Sequence, residues 1–509
     1  MGRNCSQFFT GAVLGIAFAI PGVVFGQSPP PRGLDAYVEH ALRDWRVPGA
    51  AIAVVRNDSV VFIKGYGVRE LGKSAPVDAH TVFGIASTSK AFTAAALAML
   101  VDSARLSWDD KVTKFLPWFQ IAGPYVTREV TVRDLLTHRT GLPRGDRLWY
   151  ASGFDRTEVL HRVRFLEPRW SFRARYSYQN IMFITAGQVV GAASGSTWDD
   201  FVRARIFTPL GMMNSSTSIS ALAGQTDVAM PHQIIHDTVR VIRWRNMDNL
   251  GGAGAINSSA WDLAQWLRLQ LGHGVYNGTR LLSDSVMDEM HTPQMVIRMS
   301  KDAHAMFPDT HFMAYGLAWS LRDYHGRKMD GHGGVIDGMR TEIGLIPELH
   351  LGVVVLANLD ETDFPTAMLY RVLDAYMGAP PRDWSTLMLA AAKKARDKDD
   401  STRKAFEAAR VPNTHPSLPL ARYAATYSDS LYGPIVVSDS AGRLVVSFGP
   451  SFTGDAEHWH FDTFKVTWRD HALGETWITF ALDDRGEVAS LHLQDVGDFT
   501  KLSSGDTAP

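Results

Sequence analysis

The chain reads as an α+β protein: an antiparallel sheet flanked by helices, with an inserted helical subdomain and a small all-β unit at the end. Three observations predict this. Apolar β-rich runs stand early (residues 49–67) and late (residues 315–359), and mostly helical patterns lie between them. From residue 422 the pattern changes to short alternating runs separated by turns. At 509 residues the chain also exceeds what one core usually supports, so a large domain and a smaller one are expected.

The N-terminus comes first. Arg3 precedes an apolar run from Phe8 to Ile20, followed by Pro21-Gly22 and small residues up to Gly26. This predicts a secretory signal peptide over residues 1–26, a periplasmic or secreted location, and no stable membrane insertion after cleavage. The run is short for a span and broken by Pro21-Gly22, which weighs against a retained anchor. Cys5, the single cysteine, precedes the run, so the mature chain would have no thiol. Disulfides, thiolate catalysis and cysteine-ligated metals are thereby excluded. The SPPPRG stretch at 28–33 reads as an exposed leader. The formal net charge of -2, without a long basic run, argues against a nucleic-acid partner.

Residues 49–67 read as a hairpin turning at Asn57-Asp58. Helices are expected over 90–101, over TVRDLLTH ending near Gly141, over 181–193, and from a Ser259 cap through SAWDLAQWLRLQL. Strands are expected over 315–323, 339–347 and 351–359. A large domain over 33–378 is then followed by a charged helical linker, 379–419, whose end (411–419) is rich in turn residues. Residues 420–504 should form a barrel or sandwich of about eight strands.

Within "FGIASTSKAFTAAALAML", residues 83–100, a lysine stands at the start of an apolar helix. Ser87 and Lys90 are three apart and share a face, whereas Ser89 points elsewhere. Burial and the positive end of the helix dipole both disfavour an ammonium. A neutral Lys90 can take the proton of Ser87 and make it a nucleophile. The alternative is a Ser87 cap with Lys90 reaching solvent; the same spacing at Ser401 and Lys404, in the charged linker, shows that it also arises without chemistry. Tyr178 and Asn180 precede another apolar helix, and His332 lies in a glycine-rich turn or strand. Taken singly, these three also fit core packing, a helix cap and a turn residue.

Together the segments Ser87-Thr88-Ser89-Lys90, Tyr178-Gln179-Asn180 and His332-Gly333-Gly334 resemble the serine β-lactamase and penicillin-binding-protein superfamily. The likeness is to its class C β-lactamase-like branch, with D-alanyl-D-alanine carboxypeptidases, D-aminopeptidases and esterases. WRVPGAAIAVV, LLTHRTGLP, PLGM and NLGGAGAINSSAWDLAQWL resemble further markers of that branch. The C-terminal LYGPIVVSD, GRLVVSF and HWHFDTF resemble the lipocalin-like barrel often fused to such hydrolases. The resemblance implies Ser87 as nucleophile, Lys90 as base and Tyr178 as proton shuttle. It also implies Asn180 bonded to Lys90 and substrate, Gly334 keeping its strand open, and an oxyanion hole made by the backbone N–H groups of Ser87 and Val335. Such donors are worth about 3 kcal/mol of barrier each.

His332 stands where true β-lactamases carry lysine, so a constant cation for a substrate carboxylate is missing. The implied reaction is acyl transfer to water from a small peptide, amide or ester, with peptide ahead and efficient β-lactam hydrolysis disfavoured. Alternatives are a carboxylesterase, a weak β-lactamase, or a cell-wall peptide binder without turnover. No cofactor is implied. There is no Gly-x-Ser-x-Gly elbow, His-Glu-x-x-His helix or phosphate-binding glycine loop. His458 and His460 could pair on a metal, but no third ligand is evident and a barrel position is the favoured reading. Oligomeric state is left open.

Overall fold

The computed structural model describes residues 31–503; the signal-peptide reading of residues 1–26 lies outside them. The predicted hairpin forms from β1 (Gly49–Arg56) and β2 (Ser59–Gly67). Later come β3 (Met295–Ile297), β4 (Met313–Tyr315), β5 (Ser320–Tyr324), β6 (Arg327–Ile336), β7 (Met339–Ile346) and β8 (Leu351–Ala357). They make one eight-stranded sheet in the order β2-β1-β8-β7-β6-β5-β4-β3, with every pairing antiparallel.

Both faces of the sheet are covered, which explains why β1 and β8 are continuously apolar rather than alternating. Ala51, Ala53 and Val55 face one core, with Val354 and Leu356. Ala50, Ile52 and Val54 face the other, with Val353 and Val355. The first core contains helices α1 (Ser89–Asp102), α2 (Asn180–Ser194) and α3 (Ala260–Leu271). The second is closed by Leu34–Asp44, Phe364–Met377 and the start of Trp384–Ala408. Ser259 caps α3 as expected, its side chain accepting from the Asp262 N–H.

Two expected elements differ. The single strand over 315–323 is two strands joined by a reversal at residues 316–319. Leu317 and Trp319 point into the core there, so an apolar sequence makes a turn. TVRDLLTH holds only the short helix Val132–Leu135, begun by a Thr131–Asp134 capping box. His138 then adopts a left-handed φ of 53° that ends the helical course.

The C-terminal unit is a closed antiparallel barrel of eight strands, running from Ala425–Asp429 to Gly497–Lys501. Alternation is plain in Gly433–Asp439, where Ile435 and Val437 point inward and Pro434 and Val436 outward. Eight strands leave an interior that side chains can fill or that holds one small ligand. Here Tyr423, Tyr427, Phe464, Phe480 and Phe499 fill it. His458 bonds the Phe461 carbonyl and His460 accepts from the Val411 N–H, so the two rings serve the barrel's own turn and the linker.

Phe480→Ala should empty a well-packed site and destabilise the barrel by about 3–5 kcal/mol, read as a lower denaturation midpoint in chemical unfolding.

Candidate active site

The site lies where α1, α2 and the upper half of β6 converge. Ser87 sits in a 3-10 turn, Ala86–Thr88, immediately before α1. Ala86 has φ 49°, a left-handed conformation costly for an alanine, and the strain stands next to the serine. Ser89 turns away, as expected, and its hydroxyl accepts from the Ile256 N–H.

Lys90 is fully buried in apolar surroundings. Its Nζ is 3.0 Å from Ser87 Oγ, 2.8 Å from Asn180 Oδ1 and 2.8 Å from the Ala253 carbonyl. A neutral amine has two N–H donors and one lone pair. In that form the two carbonyl oxygens take the donors, which leaves the lone pair for the serine hydroxyl. Among the described residues no carboxylate touches the nitrogen. Desolvation, then the nearby Arg144 guanidinium, hold its pKa well below the ordinary lysine value, against a smaller opposing pull from Asp146.

Asn180 is the first residue of α2 rather than its cap; Gln179 does the capping, its side chain accepting from the Ile181 N–H. The Asn180 amide is oriented by chemistry. Its Nδ2 donates to the Asp146 carboxylate at 3.0 Å, so Oδ1 must face Lys90. Tyr178 lies on the other side of Ser87 and bonds its hydroxyl. Burial pushes the phenol up to about 12, with the Ser87 bond and Arg144 pulling the other way. It is therefore a phenol at neutral pH. The Lys90 amine stands 5.0 Å from the centre of its ring.

His332 is buried on β6. Its Nδ1–H donates to the Gly333 carbonyl at 2.6 Å, and its Nε2 accepts from the Tyr315 hydroxyl at 2.8 Å. Burial, with Lys90 nearby, lowers its pKa to about 3. Both ring nitrogens are thus engaged by protein, and the ring carries no charge. Beyond it β6 is open: β5 pairs with residues 327–331 only, leaving one edge of residues 332–336 without a strand. Val335 is exposed on that edge. Gly334 presses on the Ser87 turn, where a Cβ would fall 2.2 Å from the Ile85 carbonyl and 3.0 Å from the Ser87 nitrogen. Only glycine permits that approach.

All the singled-out residues except the barrel histidines therefore meet in one place. Sequence reasoning gives no role to Ala253, His138 or Tyr315, and it names Arg144 and Asp146 only within the loop Arg144 to Arg156, expected to line the pocket and help set the substrate. Ala253 acts through its backbone, in the glycine-rich turn before α3 whose packing against α1 and α2 brings the carbonyl to Lys90. Asp146 and Arg144 lie on the long loop after Gly141, whose exposed charges carry no local pattern. His138, with its ring 4.2 Å from that of Tyr178, was visible only as part of LLTHRTGLP.

The barrel reaches this loop. Arg147 lies over the barrel's Phe452 ring at 4.6 Å, and Gly153 rests on Pro450. Tyr150 donates to Asp337, just beyond β6, at 2.8 Å. Arg245 joins Asp337 at 2.5 Å and the barrel's Asp470 at 3.2 Å. Both walls of the cleft are thus tied to the second domain.

Comparison with known proteins agrees with this geometry. The beta-lactamase family pattern matches residues 34–377, and a domain of unknown function, DUF3471, matches residues 409–505. The chain therefore belongs to the beta-lactamase family, and it is a serine hydrolase of that family. An unguisins hydrolase of Aspergillus violaceofuscus (strain CBS 115571) is 31% identical over 440 residues, covering 80% of this chain and 76% of its own length. Two solved structures share the fold at 22% identity. The octameric penicillin-binding protein homologue from Pyrococcus abyssi has a TM-score of 0.63, covering 92% of this chain and 99% of its own. A D-amino acid amidase from Ochrobactrum anthropi SV3 has a TM-score of 0.55, covering 68% and 99%.

Two outcomes follow from the geometry. Because a base with a lowered pKa is protonated only below that value, kcat/KM should rise with pH through the Lys90 titration. His332→Gln should leave that acid limb in place, since the ring is already neutral above about 3. Gly334→Ala should push strand and nucleophile turn apart and lower kcat by about 100-fold or more, with the far-UV circular dichroism unchanged.

Proposed function

We propose that the protein hydrolyses a peptide or related amide, and less readily an ester, through an acyl-enzyme on Ser87. The observation that carries this reading is the buried Lys90 nitrogen, 3.0 Å from Ser87 Oγ, with two carbonyl oxygens as its other partners; as a neutral amine it keeps its lone pair for the serine hydroxyl. Lys90 takes the Ser87 proton as Oγ bonds the substrate carbonyl carbon, and the carbonyl electron pair moves to oxygen. The Ser87 and Val335 N–H groups hold that oxyanion. Collapse expels the amine or alkoxide, which takes the Tyr178 proton, and the Lys90 ammonium returns a proton to Tyr178. Water, activated by the same groups run in reverse, then releases the acid. Asn180 holds Lys90 and bonds the acyl side, and the open edge of β6 beside His332 and Gly334 accepts an extended substrate backbone.

An amide-cleaving reading draws support from the unguisins hydrolase and from a fold shared with a D-amino acid amidase. Neutral His332 disfavours β-lactams, whose carboxylate gains no cation there. The charged and apolar leader of residues 3–26 supports export.

A fluorophosphonate probe is expected to label the peptide containing Ser87, and Ser87→Ala to abolish label and turnover. Label persisting on another serine would remove the assignment. Lys90→Ala should cost about 100- to 10,000-fold in kcat. Continuous product release from peptides, D-amino acid amides or esters is expected; one stoichiometric burst would place the protein among binders.

A further inference from the structure

The electrostatics of the cleft mouth bear on what the substrate must carry, granted the Ser87 reading above. Besides Lys90 itself, two charged groups act on both the buried lysine and Tyr178: Arg144 and Asp146. They are not equally available. The Asp146 carboxylate already accepts three hydrogen bonds: Oδ1 from Asn180 Nδ2 at 3.0 Å and from the Trp149 indole at 2.9 Å, and Oδ2 from Arg144 Nε at 2.5 Å. It is also the less accessible of the two, its side chain being 28% exposed.

Arg144 is the opposite case. Its side chain is 58% exposed, and its guanidinium carbon sits 5.1 Å from the centre of the Tyr178 ring. Only Nε is committed, to Asp146; the Nη1–Nη2 edge has no protein acceptor among the described residues. That edge offers the two parallel donors a carboxylate accepts bidentately. The loop that carries it is fixed on both sides. Gln179 Nε2 bonds the Pro143 carbonyl, and Gly145 adopts φ 58° where a Cβ would strike Leu166 at 2.7 Å. The backbone on either side of the cation is therefore fixed and its Nε is tied to Asp146, while His332 offers neither charge nor a free nitrogen.

We propose that Arg144 is the receptor for a carboxylate on the substrate, so that this hydrolase selects acidic over basic or neutral groups beside the scissile bond. The carboxylate can belong to the leaving group, as the free C-terminus of a peptide, or to the acyl part, as an acidic side chain or acyl cap. Both sources share the same recognition.

Matched substrates separate them. One pair is an N-acetyl dipeptide and its C-terminal amide; the other is a succinyl-aminoacyl p-nitroanilide and its uncharged butyryl counterpart. With the full-length wild-type protein, the acid should exceed its neutral match by at least about tenfold in kcat/KM in one pair, mainly through KM. That pair identifies the source. Arg144→Gln should bring the ratio to near one, Arg144→Lys should keep part of it, and Arg144→Glu should invert it toward an ammonium-bearing analogue. A second readout is independent of substrate charge. Loss of the guanidinium in Arg144→Gln should move the acid limb of kcat/KM on the neutral substrate to higher pH, and Arg144→Lys should not. No preference in either wild-type pair, or a preference that survives Arg144→Gln, overturns the proposal. Ser87→Ala distinguishes the two levels: turnover surviving in that variant defeats the mechanism itself, whereas its loss leaves only the role of Arg144 at issue.

Discussion

The site depends on an amine whose burial disfavours its protonated form. Three features act together at Lys90: removal from water, two uncharged carbonyl acceptors, and a guanidinium, that of Arg144, whose effect outweighs the opposing pull of Asp146. A carboxylate at the place of the Ala253 carbonyl would restore the ammonium, and with it an inert serine. The apolar helix around Lys90 is thus part of the chemistry, since its packing excludes the water that would otherwise solvate charge.

The rest of the architecture can be understood as holding three chain segments against that amine. The 3-10 turn brings Ser87 to it, the start of α2 brings Asn180, and the glycine-rich turn before α3 brings a backbone oxygen. The fourth segment, β6, must come close enough to the serine turn that no side chain fits at position 334. Because β5 stops pairing at residue 331, the same strand is left with a free edge beside the nucleophile.

The barrel enters this arrangement from outside. Its interior is packed with aromatic rings, so its contribution to the site comes from its rim, through Phe452, Pro450 and Asp470. These touch Arg147, Gly153 and Arg245. Arg147 shares its loop with Asp146, which orients Asn180, and Arg245 holds Asp337, directly beyond β6. A domain distant in sequence thereby steadies two of these four segments, the start of α2 and β6.

Much of this was legible before any coordinates. The hairpin, α1, α2, α3, β7, β8 and the barrel follow from apolar periodicity and turn residues, because those signals are local. Ser87 and Lys90 are legible for the same reason: three residues on one helical course meet whatever the tertiary context. Tyr178, Asn180 and His332 were found as ordered motifs, though their spacing in sequence says nothing of distance. Tertiary structure alone decided the rest. It turned the apolar run at 315–323 into two strands, because Leu317 and Trp319 gain more from the core than from a ladder. It supplied Lys90 with the Ala253 carbonyl, which no side-chain pattern can announce, and it set Arg144 and Asp146 beside Tyr178 and Asn180. Burial and long-range contact fix a proton's position, and neither is a property of neighbouring residues in a chain.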